Sequence, residues 1–429
     1  MEIISPTFLI EDYNIFKNKM LNWANRFSIF CFLDNNGYNF NASSFDCILA
    51  TGCKKSIEPE PGKAFSELQK FYNENPCWLF GHLGYDLKNE VEALHSKNKP
   101  LIDFGLSFFF EPESIVQIKD GKFTVISSLQ SAAGIYAEIN NQSGEIINTV
   151  TTNVNVKNSI SKNEYVDTIL KLQNHIRRGD CYEINFCQQF FAQNAIIDPL
   201  FIYSNLIRIS ANPFSVLYKL KDKYCLCASP ERYLKKSGRT IISQPIKGTG
   251  KRDLNDSVAD ELNKNKLHNS AKEKAENVMV VDLVRNDLNK ICTEGSVQVQ
   301  ELFGIYSFPQ VHQMISTVTG ILQNDIDWTG AIKASFPMGS MTGAPKKRVM
   351  QLIEEYEVGG RGLFSGSIGY ITPVGDFDFN VVIRSIFYDG AKKSISFLAG
   401  GGITFYSNAE DEYEECMLKA AAIINVLKA

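Results

Sequence analysis

A single lysine stands near the end of a predicted strand in residues 243–250, whose sequence is Ser-Gln-Pro-Ile-Lys-Gly-Thr-Gly. Pro245 has no N–H for a sheet ladder, and Gly248 lets the backbone approach a ligand closely, so the strand ends or bulges beside Lys247. A lysine amine in this position can act as a nucleophile once it loses its proton. At the ordinary pKa, less than ~0.1% of lysine is neutral near pH 7. The alternative is an ordinary surface lysine beside a turn.

Acidic residues near the start of one predicted helix could hold a metal ion. Ser270 and Glu273 have the spacing of a capping box, and Glu276 falls on an otherwise apolar face of the helix. A carboxylate on such a face needs a partner, because burying an unpaired charge is expensive. A simple early-turn glutamate favoured by the helix dipole is the alternative.

The last predicted helix repeats this arrangement. Ser407 and Glu410 form another capping box, and Glu412, Glu415 and Lys419 follow on one face at spacings of three and four residues. Carboxylates from two helices suit Mg²⁺, which takes hard oxygen ligands. An exposed Glu–Lys pair is the alternative for the last helix.

Two further stretches could bind a carboxylate or a phosphate. Glycines and hydroxyls in residues 336–348 precede a helix start with basic side chains, which favours an anion, although the spacing is not that of a Walker A loop. Arg384 lies inside a predicted strand over residues 379–387, where it would be a bidentate carboxylate clamp or a structural ion pair.

The surrounding pattern predicts a mixture of strands and helices. Short strands and one helix are expected before a polar stretch at residues 140–158, which is the best domain boundary. Ser161 and Glu164 then begin an amphipathic helix that ends at Gly179.

Composition excludes several classes of protein. The chain has 429 residues, a net charge of −4 and a pI near 5.9, so nucleic acid and anionic membranes are not expected partners. No apolar run could span a bilayer, no secretory signal is visible, and ten scattered cysteines have no zinc-type pairing. We therefore expect a cytoplasmic protein with reduced thiols.

Taken together, the motifs resemble those of the chorismate-utilising enzymes, which include anthranilate, aminodeoxychorismate, isochorismate and salicylate synthases. The matching stretches run from about residue 180 to residue 419. They are Gly-Asp-Cys-Tyr-Glu at 179–183, Ser-Pro-Glu-Arg at 229–232, Pro-Ile-Lys-Gly-Thr at 245–249, the helix at 275–288, Gly-Ala-Pro-Lys at 343–346, Ile-Arg at 383–384 and the glycine-rich 399–403.

The resemblance implies an α+β fold of two large antiparallel sheets packed in a layered sandwich with outer helices. Residues 1–155 would form an amino-terminal region similar to that of anthranilate synthase component I. Residues 156–429 would form the chorismate-binding catalytic domain.

The subfamily prediction depends on Lys247. Anthranilate synthase has alanine at the matching position, whereas lysine there indicates aminodeoxychorismate synthase component I. The resemblance then implies that Lys247 attacks C2 of chorismate while the C4 hydroxyl leaves, and that ammonia adds at C4 and expels the lysine. Glu231 matches the general acid that protonates the leaving hydroxyl.

The resemblance also implies a Mg²⁺ cofactor and a set of substrate contacts. Glu276 and Glu415 match the metal ligands, with Glu273 and Glu412 beside them. The remaining contacts are to carboxylates of chorismate, with Gly248 and Thr249 at the ring carboxylate and Arg384, Gly400 and Gly402 at the enolpyruvyl carboxylate.

Two predicted substrate contacts depart from the family pattern. Glu183 stands where amine-transferring relatives usually have glutamine and where water-using relatives have lysine, so it argues against water as the nucleophile. Whether Glu183 binds ammonium or only packs is open at this point. Phe364 replaces the tyrosine of many relatives and removes a hydroxyl.

No glutaminase motif is visible, so we expect a separate glutamine amidotransferase subunit to supply ammonia and a separate lyase to complete 4-aminobenzoate for folate. Two alternatives remain. They are anthranilate synthase component I and a non-catalytic chorismate-binding subunit.

Overall fold

The computed structural model describes residues 6–38, 45–150 and 154–428. Runs of consecutive strands are separated by helices along the chain. In chain order the strands are β1 Thr7–Leu9, β2 Ile29–Asp34, β3 Cys47–Thr51, β4 Lys55–Ile57, β5 Leu79–Leu83, β6 Ser107–Glu111, β7 Ser114–Lys119, β8 Lys122–Ser128, β9 Lys157–Asn158, β10 Glu183–Ala192, β11 Phe214–Leu220, β12 Lys223–Ser229, β13 Arg232–Ser237, β14 Thr240–Gln244, β15 Ile246–Lys251, β16 Gln298–Ser307, β17 Val311–Ile321, β18 Gly343–Ala344, β19 Ser367–Ile371, β20 Phe377–Asn380, β21 Ser385–Asp389 and β22 Ser394–Thr404.

Helices cover the sheets. They are α1 Tyr13–Ala24, α2 Ala64–Glu74, α3 Lys88–Glu92, α4 Ala132–Asn140, α5 Lys162–Arg177, α6 Pro199–Ile209, α7 Ser257–Asn269, α8 Ala271–Asn289, α9 Trp328–Ser335, α10 Lys346–Tyr356 and α11 Ala409–Lys428, with single 3₁₀ turns at Tyr85–Leu87 and Gly339–Met341. No helix in these ranges is long and apolar enough to cross a membrane.

The strands form two large sheets in which every pairing is antiparallel. The first sheet has the order β1-β8-β7-β3-β2-β11-β12-β21-β22-β10-β18, with β9 beside β10, and the second has the order β15-β17-β14-β13-β20-β19-β5-β6-β4, with β16 beside β17. The expected fold of two antiparallel sheets with outer helices is thus confirmed. Strands from before residue 155 occur in both sheets, so the predicted boundary divides the sequence while both regions share each sheet.

The first sheet is buried on both faces. Along β2, Ile29, Cys31 and Leu33 belong to the core that joins the two sheets, while Phe30 and Phe32 belong to the core under the outer helices. This alternation follows from the two-residue period of a strand. It also explains why β2 reads as a continuous apolar run instead of alternating with polar residues.

Helix starts agree with the sequence at two of three places. Ser161 and Glu164 form a complete capping box at α5, and the Ser270 hydroxyl accepts a hydrogen bond from the Glu273 amide at α8. The prediction for α11 was wrong, because the Asn408 carboxamide accepts from the first amides of that helix. Ser407 instead accepts from the amide of Thr404.

The strand predicted over residues 379–387 was also wrong. β20 ends at Asn380 in the second sheet and β21 begins at Ser385 in the first, so the chain crosses between the sheets in residues 381–384. Arg384 has a φ of +51° in this crossing, a conformation that few non-glycine residues adopt. A continuous apolar sequence concealed the crossing, because both strands and the segment between them are largely buried.

Candidate active site

Lys247 and Glu183 form a buried ion pair where the two sheets meet. Lys247 lies on β15 of the second sheet, Glu183 begins β10 of the first, and the ammonium binds Glu183 Oε1. Their side chains are 11% and 3% exposed. The other carboxylate oxygen, Oε2, is buried without a hydrogen-bond partner among the described residues. Leaving a buried acceptor unpaired costs about 1–3 kcal/mol, and more when the group is charged.

Glycines leave space around this pair. A Cβ at Gly402 on β22 would lie 2.6 Å from both Lys247 Nζ and Glu183 Oε1, so a side chain there would displace the pair. Gly248 has a φ of +99°, and a Cβ there would lie 3.1 Å from Glu273 Oε2. Both positions therefore require glycine for space or for backbone conformation.

The charge on Lys247 is set by opposing effects. Burial disfavours the ammonium, but the carboxylates of Glu183, Glu276 and Glu231 outweigh it and raise the pKa of Lys247 above its ordinary value. These carboxylates therefore favour the protonated form of Lys247. A nucleophilic role requires that the proton be removed when the substrate binds.

Glu231 lies between β12 and β13 and is held as a poised acid. Its side chain is buried, and Ser340 donates a 2.6 Å hydrogen bond to Glu231 Oε1. Burial raises the pKa of Glu231 to about 7, against the opposing effects of Ser340, Lys247 and Arg384. A carboxyl group with a pKa near neutrality can donate a proton at pH 7, as general acid catalysis requires.

The four predicted metal-binding glutamates come from α8 and α11 and influence one another. Burial raises the pKa of Glu276 to about 7, with further contributions from Glu183 and Glu273. Burial also raises the pKa of Glu273 and of Glu412, and Glu415 adds to both increases. The two helices thus bring their carboxylates into one electrostatic environment, which the sequence alone could not establish.

Lysines partly neutralise these glutamates. Burial acts to raise the pKa of Glu415, but Lys419 at 2.7 Å lowers it below the ordinary value. Lys272 Nζ lies 3.9 Å from Glu276 Oε1. The Glu415–Lys419 ion pair of α11 therefore exists. Glu415 also acts electrostatically on Glu273 and Glu412.

In the described part of the chain, no three His, Cys, Asp or Glu side chains lie close enough together to hold a metal ion. The donor chemistry nevertheless fits Mg²⁺, which is commonly held by one or two carboxylates together with substrate oxygens and water. A Cβ at Gly401 would lie 3.2 Å from Glu412 Oε2 and 3.8 Å from Glu415 Oε1, so the absence of a side chain keeps the approach to these carboxylates open.

Two of the predicted carboxylate-binding positions lie close to this centre. Burial lowers the pKa of Arg384 to about 10, while Glu231 raises it, and no side-chain hydrogen bond of Arg384 occurs within the described ranges. Gly400 lies where β22 continues past Ser396, the last residue that pairs with β21. A Cβ at Gly400 would lie 1.9 Å from the Phe186 carbonyl oxygen, so glycine is needed for the close pairing of β22 with β10.

The two other predicted contacts, Thr249 and Phe364, differ in their burial. Thr249 is exposed on β15 opposite Gln313. Phe364 is buried in the core that joins the sheets. The structure therefore brings together Lys247, Glu183, Glu231, Gly248, Gly402 and the glutamates, while the roles of Thr249 and Phe364 stay predictions.

Sequence reasoning missed two residues that position the site. Ser340 belongs to a glycine-rich turn that was interpreted as an anion site, and its hydroxyl instead bonds Glu231. Asn277 follows Glu276 on α8. Its side-chain Nδ2 donates to the Lys247 backbone carbonyl at 3.3 Å, and its Oδ1 accepts from the Ser316 hydroxyl at 2.6 Å. A buried asparagine next to a candidate metal ligand was the available signal for the second residue.

Lys346, at the predicted anion-binding helix start, is used within the fold. Its ammonium pairs with Asp287 on α8 and donates to the Ser335 carbonyl at 2.8 Å. This lysine ties α10 to α8 and α9, so it is not available as an anion ligand in this conformation.

Comparisons with known proteins agree on one family. Residues 30–425 match the family described as chorismate binding enzyme. The chain is 39% identical over 272 residues to aminodeoxychorismate synthase component 1 of Salmonella typhimurium. This alignment covers 63% of the present chain and 59% of the Salmonella typhimurium protein. It is 34% identical over 357 residues to aminodeoxychorismate synthase component 1 of Klebsiella aerogenes, which covers 81% of this chain and 77% of that protein.

A solved structure supports the fold. Anthranilate synthase component I from Streptococcus pneumoniae matches with a TM-score of 0.74 and 26% identity, covering 88% of this chain and 91% of that chain. The sequence alignment with the Salmonella typhimurium aminodeoxychorismate synthase component 1, in contrast, spans less than two thirds of that protein's length.

Proposed function

This chain belongs to the chorismate binding enzyme family, and from that membership we propose that it aminates chorismate to 4-amino-4-deoxychorismate, as aminodeoxychorismate synthase component 1 does. The observation that carries the proposal is the buried group of Lys247, Glu183 and Glu231 at the junction of the two sheets. The electrostatic coupling of Lys247 with Glu231 supports a reaction that pairs a nitrogen nucleophile with a carboxylic acid.

The proposed reaction exchanges a C–O bond for a C–N bond. Lys247 first passes its extra proton to a neighbouring carboxylate. Glu231 then donates a proton to the C4 hydroxyl, which leaves as water while the Lys247 amine bonds to C2 and the ring double bonds shift. The proton that ammonium gives up in the second half of the reaction restores the acid form of Glu231. Ammonia then bonds to C4, the double bonds shift back, and the C2–N bond breaks with its electron pair returning to Lys247. Atoms and charge balance, because ammonium and chorismate together give water and the protonated amine.

We also propose that Mg²⁺ is held by Glu276 and Glu415, with Glu273 and Glu412 beside them. When bound, the ion would supply Lewis-acid stabilisation of the substrate's ring carboxylate. The raised pKa of Glu276, Glu273 and Glu412 supports this assignment, because three carboxylates that resist ionisation together are relieved by a divalent cation.

The remaining side chains would orient the substrate. Arg384 would clamp the enolpyruvyl carboxylate, since its guanidinium has five donors in a planar fork and no side-chain partner within the described ranges. Backbone amides near Gly400 and Gly402 would assist, because β22 extends beyond its neighbour β21 there.

The ammonia source is proposed to be a separate glutamine amidotransferase subunit, and the product would pass to a lyase that forms 4-aminobenzoate for folate. The word component in the names of the relatives supports a multi-subunit enzyme. A cytoplasmic location is proposed as well, because all ten cysteines, each within the described ranges, are free thiols, as in reducing compartments.

The second candidate function is that of anthranilate synthase component I, which the Streptococcus pneumoniae structure favours. Incubation of the purified chain with chorismate, Mg²⁺ and ammonium chloride separates the two functions. We expect a product that becomes 4-aminobenzoate only after a lyase is added. Fluorescent anthranilate formed without a lyase would overturn the proposal, and absence of any turnover would favour a non-catalytic chorismate-binding subunit.

A further inference from the structure

One oxygen of the Glu183 carboxylate has no role in the ion pair with Lys247. Glu183 Oε1 binds the lysine, whereas Oε2 is buried and has no hydrogen-bond partner within the described ranges. The residue as a whole is 2% exposed. A buried carboxylate oxygen of this kind requires a donor, and none of the described residues supplies one.

Three strands hold this carboxylate in place. Glu183 pairs with Thr404 on β22 and with Ala344 on β18, so its backbone is fixed on both sides. A Cβ at Gly343 would lie 2.1 Å from the Glu183 carbonyl oxygen, which makes the β18 contact dependent on glycine. The carboxylate is thus positioned by a rigid part of the sheet rather than by a flexible loop.

The charge around Glu183 favours a cation as the missing donor. Three carboxylates, those of Glu183, Glu231 and Glu276, act on the single ammonium of Lys247. A small cation with several N–H donors is attracted to such a place. When Lys247 becomes neutral in order to react, the need for a second cation beside Glu183 increases.

We propose that Glu183 is the binding residue for ammonium, the nitrogen co-substrate, which it holds through Oε2 next to Lys247. This inference rests on the proposed function, because only an amination needs a second nitrogen at this place. The two oxygens of a carboxylate are joined through one carbon, and C2 and C4 of the ring are likewise joined through one atom. One carboxylate can therefore align the lysine with C2 and the ammonium with C4.

Steady-state kinetics of the full chain with ammonium chloride as the nitrogen source test the proposal. In Glu183→Gln, which keeps the size of the side chain but removes its charge, we expect the KM for ammonium to rise at least ~10-fold, as for loss of a charged hydrogen bond. The KM for chorismate should change by less than about twofold. Gln189→Ala is the matched control on β10, because Gln189 bonds Ser396 and does not contact the ion pair.

Each other outcome overturns the proposal. A raised KM for chorismate with an unchanged KM for ammonium would mean that Oε2 binds the substrate instead. A fall in kcat with both KM values unchanged would mean that Glu183 acts only on Lys247. In either case the wild-type chain would still form the amine, so the proposed function would stand. Formation of anthranilate by the wild type would refute the function itself.

A second measurement needs no variant and remains decisive if Glu183→Gln does not fold. Methylammonium chloride keeps the charge and three N–H donors of ammonium. We expect it to inhibit the wild-type chain competitively against ammonium and not against chorismate. Inhibition competitive only with chorismate, or no inhibition at concentrations well above the KM for ammonium, would contradict a cation site at Glu183.

Discussion

Two buried ion pairs lie against the same strand, β10, and they differ in how well their polar atoms are satisfied. Arg361 and Glu357 are joined by two hydrogen bonds of 2.9 and 2.6 Å, with side chains 1% and 3% exposed. Lys247 and Glu183 are buried to a similar degree, but Glu183 retains an oxygen without a donor in the described structure.

The Arg361 guanidinium is used completely by the fold. It donates to the carbonyls of Met341 and Asn185 at 2.7 and 2.8 Å, and to the Ser365 hydroxyl at 3.2 Å. Glu357 in turn accepts from the Cys187 amide at 2.9 Å. This pair fastens the segment after α10 to β10, and nothing is left to bind a ligand.

The difference teaches how to separate structural from functional charge in this protein. A buried ion pair whose hydrogen bonds are all made inside the chain contributes to stability. Removing one partner leaves the buried charge of the other partner uncompensated. A buried pair with unsatisfied atoms costs stability, and it persists where a ligand completes it. By this criterion the Lys247–Glu183 pair is the one that a ligand would complete, and the Arg361–Glu357 pair belongs to the framework.

The largest expected effect is the loss of activity when the Lys247–Glu183 pair is replaced by neutral side chains. The double variant Lys247→Met/Glu183→Gln should lose at least ~10⁴-fold in kcat/KM, about 5.5 kcal/mol, because the nucleophile is gone. Its free energy of unfolding in urea should stay equal or rise, since replacing a buried ion pair by neutral groups is often neutral or stabilising. Marked destabilisation of this variant would break the comparison.

The next largest expected effect is a loss of stability when the Arg361–Glu357 pair is replaced by neutral side chains. Arg361→Met/Glu357→Gln should lower the free energy of unfolding by about 3–5 kcal/mol, because the carbonyls of Met341 and Asn185 lose their donor. Urea unfolding measures this loss, and the Lys247→Met/Glu183→Gln variant is its control. Equal stability of the two double variants would show that satisfaction of hydrogen bonds does not distinguish them.

A smaller effect concerns pH and sharpens the role of Glu231. The raised pKa near 7 means that the acid form is present below pH 7 and is lost as pH rises through it, so kcat should fall on the alkaline side. Ser340 lowers that pKa by donating to the carboxylate. Ser340→Ala should therefore shift the alkaline limb upward by about one unit, the equivalent of one hydrogen bond. If the alkaline limb of the kcat profile in Ser340→Ala stayed at the same pH or moved to lower pH, Glu231 would be excluded as the titrating acid.

The sequence indicated candidate residues but not the contacts between them. The resemblance supplied Lys247 and Glu231 as candidate site residues, and it also supplied the sandwich of two antiparallel sheets, which the structure confirms. The pairing of Lys247 with Glu183 was not predictable, because 64 residues separate them and the contact depends on how two different sheets meet. Local patterns carry no information on such a junction.

The errors have similar physical causes. Arg384 was placed inside a strand because an apolar run does not show where a buried chain crosses from one sheet to the other. Ser407 was chosen as the cap of α11 because serine and asparagine serve equally well at that position, and Asn408 is the next residue. The Arg361–Glu357 pair was missed since it lies beyond the end of α10, where helical spacing does not apply.

The central claim is that Lys247 is a covalent nucleophile, and the intact mass of the protein tests it most directly. The wild-type chain is incubated with chorismate and Mg²⁺ in the absence of ammonia, beside Lys247→Ala. We predict that the wild type gains the mass of chorismate less one water and that the variant gains nothing. Absence of the adduct in the wild type, or its presence in Lys247→Ala, would contradict the account.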